Sequence, residues 1–166
     1  MAISFKPLHS DSIPNAVLLA LRASLASVLA VGTTRLLHLA YPIYALIAAV
    51  IVTDASNTTT RKLGGYRILG TAFGALFGAF LSVYLEHSLL AIGLGVGVMV
   101  MLLVLAGFNE AAKLAGYVAA LVVLDHSSQP WIYALDRFIE TTLGIIAAIA
   151  VSYCIPGSTK TSKTPK

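Results

Sequence analysis

Charge is what this sequence has least of. Asp and Glu number 7 and Lys and Arg 11 among 166 residues, or 11% charged, where roughly 25% is usual for a soluble domain. Apolar residues make up 58% and the mean hydropathy is +0.88. Too few polar side chains remain to coat a water-facing surface, which excludes a soluble globule with a large core. A single cysteine, Cys154, excludes a disulfide framework and a paired-thiol metal site. The four histidines, His9, His38, His87 and His126, fall near the ends of apolar runs without ligand spacing. No nucleophile–base set is placed for catalysis, so neither a metal, a cofactor nor an enzymatic reaction is expected. GLGVG at 93–97 lacks the third glycine and the preceding strand of a phosphate loop, and lies inside an apolar run. The net charge of +4 does not imply nucleic acid, because the basic residues sit at the ends of apolar runs rather than on one soluble face.

What is present is long apolar stretches. They cover about 14–37, 39–53, 67–85, 88–107, 111–124 and 134–155. A helix needs about 20 mainly apolar residues to cross a bilayer. The runs are rich in Ala and Leu and lack period-two alternation, which argues against strands. The expectation is therefore an all-α membrane protein with six transmembrane helices. A 1–13 segment would precede a 14–156 membrane domain, with a basic tail at 157–166. With the N-terminus in the cytoplasm, Lys6, Arg61, Lys62, Arg67, Lys113, Lys160, Lys163 and Lys166 fall inside, and only Arg35 and Arg137 outside. That bias places both termini in the cytoplasm under the positive-inside rule. Lys6 before an apolar stretch resembles a signal peptide, but Arg22 in the same run and its share in a repeat argue for a retained span.

The repeat is visible as words. IAAVIVTD at 47–54 returns as VAALVVLD at 118–125, a shift of 71. At the same shift VLLALRASL (17–25) overlies SLLAIGLGV (88–96), and at a shift of 70 RILGTAFG (67–74) overlies RFIETTLG (137–144). Arg67 then meets Arg137, Thr71 meets Thr141 and Gly74 meets Gly144. Three spans per copy is an odd number, so halves at about 14–85 and 88–156 would enter the membrane from opposite sides, a 3+3 inverted repeat. The two Asp-ending words, spans 2 and 5, have 15 residues between His38 and Asp54 and 11 between Lys113 and Asp125. Both are short for a hydrocarbon core of about 30 Å, as are segments that line a central site.

Ionised groups inside a bilayer each cost about 2.5–3.5 kcal/mol on insertion scales and need a reason. Arg22, Asp54 and Arg67 would belong to the inner half, and Asp125, Arg137 and Glu140 to the outer half. As structural groups, Asp54 and Asp125 would pair with Arg67 and Arg137. As functional groups, they would carry protons while the arginines hold a carboxylate. Gly70, Gly74 and Gly78 form a small-residue seam beside Arg67 and Thr71; Gly144 follows Arg137 and Thr141 in the same way. The seam admits a close helix or a groove. Glu140 faces Gly70 under the repeat, and Arg22 faces Gly93, so the halves are not electrostatic copies.

The stretches YPIYALIAAVIVTD (41–54), RILGTAFGALFG (67–78) and DRFIETTLGIIAAIAVSYCIP (136–156) resemble the membrane block of the fusaric acid resistance and aromatic acid exporter family. The likeness covers about 15–156, with Arg67, Gly70, Thr71, Gly74, Arg137, Thr141 and Gly144 at the matching positions. It implies a bacterial inner-membrane transporter that exports small organic acids, aromatic carboxylic acids in particular, with the proton gradient. Larger members resemble two such blocks, so a homo-oligomer in membrane lipid is the expected assembly. The alternative is a non-transporting membrane subunit that docks a partner through the Gly70–Gly78 seam. A passive channel is a third reading.

Overall fold

The computed structural model describes residues 12–85, 89–125 and 129–156. The N-terminal segment, the basic tail and His9, His87 and His126 lie outside them. Within them the chain is all-helical: α1 (Ser12–Leu36), α2 (Pro42–Val52), α3 (Asn57–Tyr84), α4 (Leu89–Leu105), α5 (Asn109–Leu124) and α6 (Pro130–Cys154).

Each helix occupies an expected segment, but several ends differ for identifiable reasons. α2 and α6 start at Pro42 and Pro130, at the first helical turn, where a missing N–H costs nothing. α3 begins at Asn57, ten residues before its apolar run, because NTTTRKLGGY continues the helix beyond the apolar zone. α5 likewise takes in Asn109, Glu110 and Lys113. α2 has 11 residues and rises about 16 Å, while α5 has 16 and rises about 24 Å. α2 is thus the shortest of the described helices, reversing the expected order of the two words. Two helices, α1 from Ile13 and α3, are long and apolar enough to cross a membrane.

The packing is inverted relative to a soluble protein. Large apolar side chains point outward, with Leu36, Leu89 and Leu90 each more than three-quarters exposed. The interior holds Ala26, Ala30, Ala45, Ala48, Ala49, Ala147 and Ala148, together with Arg22, Arg67, Arg137 and Glu140. Small residues inside let backbones approach, and an apolar exterior suits hydrocarbon as solvent. α3 and α6 pack on each other at the centre; α5 lies along α3 and α2 along α6, while α1 covers α2 and α4 covers α5.

The glycines explain the tight seams. A Cβ at Gly70 would lie 2.8 Å from the Ala111 carbonyl oxygen, and one at Gly78 the same distance from that of Ala119. Gly74 abuts the Ala115 carbonyl and Val118, and Gly144 abuts the Ala45 carbonyl and Ala48. A shift of 70 carries Gly74 to Gly144, Ala45 to Ala115 and Ala48 to Val118. The Gly70–Gly78 seam is filled by α5 of the same chain, so it offers no face to a partner. That corrects the docking role given to it in the alternative reading.

Candidate functional site: two buried arginine centres

Arg22, on α1, is fully buried and fully engaged. Its guanidinium donates to the carbonyls of Asp54 at 2.7 Å and Ala55 at 3.0 Å, where α2 gives way to α3. It also donates to Asn57 Oδ1 at 2.8 Å, to the Ser152 carbonyl at 3.3 Å, and to the Ile155 carbonyl through Nε and Nη2. The ends of α2 and α6 present orphan carbonyls, and one side chain satisfies both sets. The arrangement is a clasp that fastens three elements at one end of the bundle.

Asp54 lies just beyond the α2 C-terminus and is half-buried. Its Oδ1 accepts the Ser56 N–H at 2.8 Å, and its own N–H donates to Thr60 Oγ1 at 3.0 Å, so the repeated word ends where the chain turns into α3. Asp125 is the C-cap of α5 and also half-buried. The expected Asp–Arg ion pairs do not form among the described residues. Because α3 starts at Asn57, Arg67 sits about 15 Å along the helix from its first residue. Its Nη2 donates instead to the Tyr117 hydroxyl at 3.1 Å, and its buried Nε has no partner.

The second centre lies between α2 and α6, at the end of the bundle opposite the clasp. Arg137 is 2% exposed and Glu140 0%. The Arg137 guanidinium carbon lies 3.2 Å from the centre of the Tyr44 ring and 5.8 Å from that of Tyr133, a desolvated cation–π stack. The Tyr44 and Tyr133 hydroxyls are 3.1 Å apart, and Tyr41 meets Tyr133 edge-on at 5.3 Å. Glu140 Oε1 accepts the Tyr41 N–H at 2.6 Å, a carboxylate at the N-terminus of α2 where the helix dipole favours it. Arg137 Nε and Nη1 and Glu140 Oε2 are buried with no hydrogen-bond partner. Asp125 and Asp136 lie close enough to act electrostatically on Tyr41.

Thr71 and Thr141 are buried on α3 and α6, one turn beyond Arg67 and Arg137. Arg137 and Glu140 are thus brought together with the α2 N-terminus, while Arg22, Asp54 and Arg67 stand apart from them. Sequence reasoning missed Tyr41, Tyr44, Tyr117 and Tyr133. The available signal was Tyr133 four residues before Arg137, and a Tyr pair spaced i, i+3 around Pro42, both patterns that share a helical face. A separate open groove of about 390 Å³ between α3 and α6 is lined by apolar residues that include Trp131, Leu76 and Phe138. No group of three metal-ligating side chains occurs among the described residues.

No curated protein and no solved structure is matched by this chain. The sequence model of the fusaric acid resistance protein family matches residues 16–164, which take in nearly all of the six-helix body and both arginine centres. The chain therefore belongs to the fusaric acid resistance protein family, a family of membrane transport.

Proposed function

We propose that this protein is an inner-membrane exporter of small organic acids, aromatic carboxylic acids among them, built as a 3+3 inverted repeat and driven by protons. The observation that carries the reading is a buried, incompletely partnered Arg137 in a chain of a membrane transport family. An ionised side chain is retained in such a place for a substrate or ion pathway. The helix pairings support the repeat: exchanging α1 with α4, α2 with α5 and α3 with α6 carries α2 on α6 to α5 on α3, α1 on α2 to α4 on α5, and α3 on α6 to itself. The packing of α1 along α6 is the exception. The close approaches of Gly74 and Gly144 exchange in the same way. Asp54 and Asp125 are the groups assigned to proton carriage. The broad apolar exterior of α1 and α4 leaves room for a second copy in the membrane.

The test is efflux from cells that produce the protein alone. Arg137→Ala should lower export of an aromatic acid about tenfold or more, as expected for losing a charge-assisted contact, and Asp125→Asn should uncouple it from the pH gradient. Full efflux in both variants would remove these residues from the pathway. Proteoliposome transport indifferent to an imposed pH gradient would remove the proton.

A further inference from the structure

The geometry points to the Arg137–Glu140 centre as a binding site for a zwitterion: a small aromatic molecule carrying a carboxylate and, across the ring, an ammonium. The inference rests on the export reading for its setting and narrows the class of cargo. Three observations lead to it. The Arg137 guanidinium carbon sits 3.2 Å over the centre of the Tyr44 ring, while its donors Nε and Nη1 are buried with no hydrogen-bond partner and stay available to an acceptor. Three residues further along α6, Glu140 has one oxygen held by the Tyr41 N–H and the other, Oε2, buried and free. It offers an anionic acceptor beside the cationic donor. Side chains spaced i, i+3 share a helix face with Cβ atoms about 5–6 Å apart, so one small molecule can meet both groups. Tyr41, Tyr44 and Tyr133, packed ring against ring, border the two groups and give an aromatic ligand rings to pack on.

The charge balance selects between cargoes. One arginine is accompanied by three carboxylates, since Asp136 acts on Glu140 and both Asp125 and Asp136 act on Tyr41. A simple carboxylate would add a further negative charge to an acidic neighbourhood. A zwitterion adds none, and its ammonium meets both Glu140 and the tyrosine rings. Discrimination against molecules lacking either group follows, because a missing group leaves a buried charge unpaired.

The test uses three probes with one ring: 3-(aminomethyl)benzoate, 3-methylbenzoate and 3-methylbenzylamine, titrated calorimetrically into the purified full-length protein in lipid nanodiscs. The zwitterion should bind about tenfold or more tightly than either singly charged probe. Glu140→Gln keeps an oxygen for the Tyr41 N–H and replaces the free acceptor by a donor. It should erase the preference over 3-methylbenzoate. Arg137→Gln should erase the preference over the amine. Both readouts are ratios within one variant, so they do not depend on the fraction of protein folded. Equal or tighter binding of 3-methylbenzoate by the wild-type protein overturns the proposal, as do ratios that neither variant changes. Binding in the expected pattern with no efflux from cells would instead overturn export and leave the site standing.

Discussion

At the scale of single residues, the two arginine centres differ in how completely they are satisfied. Arg22 meets four backbone carbonyls and one amide oxygen. Removing it strands those carbonyls in the interior, and each stranded group carries a desolvation penalty. Arg22→Ala should therefore lower unfolding stability in detergent by about 3 kcal/mol, within the range for breaking a buried network. Arg22→Lys should recover only part of this, because an ammonium cannot span the ends of both α2 and α6. A thermal melt indistinguishable from wild type for Arg22→Ala would show that water replaces the clasp. Arg137 invites a different expectation. With two donors idle, its loss should disturb transport more than folding, which separates a binding group from a scaffold group.

At the scale of elements, the seams are set by backbone-to-backbone approach. A methyl at Gly144 collides with the carbonyl of Ala45, an atom that cannot swing aside as a side-chain tip can. Gly144→Ala should destabilise the protein by about 1–3 kcal/mol, the usual penalty for overpacking. Gly97 lies in a helix with nothing within 4 Å of the added methyl, so Gly97→Ala should gain up to about 1 kcal/mol from helix propensity. Paired melts of the two variants check the contrast; equal shifts would deny the seam. The six helices were legible in the sequence because apolar runs mark them, and Gly70, Gly74 and Gly78 were legible as a seam. What the seam packs against was not, since α5 reaches it only through the tertiary fold. The Asp–Arg pairing failed because hydropathy locates the apolar zone rather than the helix, which in α3 starts well before it. The partners of Arg22 were invisible because they are carbonyls, which every residue has. The tyrosines at Arg137 were overlooked because aromatic residues in an apolar run read as lipid contacts.

At the scale of the whole molecule, the two ends of the bundle are chemically unlike. One end holds the Arg22 clasp over the C-termini of α2 and α6; the other holds Tyr41, Asp125 and Tyr133 near the start of α6. Under a two-fold exchange, Arg22 would fall on Gly93, which makes no clasp. α1 accordingly packs firmly along α6, whereas α4 touches α3 only slightly. A carrier whose α1 is fastened along α6 while α4 touches α3 only slightly can open more readily at the end away from the Arg22 clasp, so the Arg137 centre should be reached first from that side. This has a topological consequence that labelling can check. If three helices make each half and the N-terminus is cytoplasmic, Thr58 and Asn109 face the cytoplasm and Gln129 faces away. All three are exposed at helix ends. In a Cys154→Ser background, a membrane-impermeant maleimide applied to whole cells should label Gln129→Cys and spare Thr58→Cys and Asn109→Cys, with both spared positions labelling after lysis. Labelling of Thr58→Cys and Gln129→Cys from the same side would mean that α3 to α5 do not cross the membrane an odd number of times, and the oppositely threaded halves would have to be abandoned together with any mechanism that alternates between them.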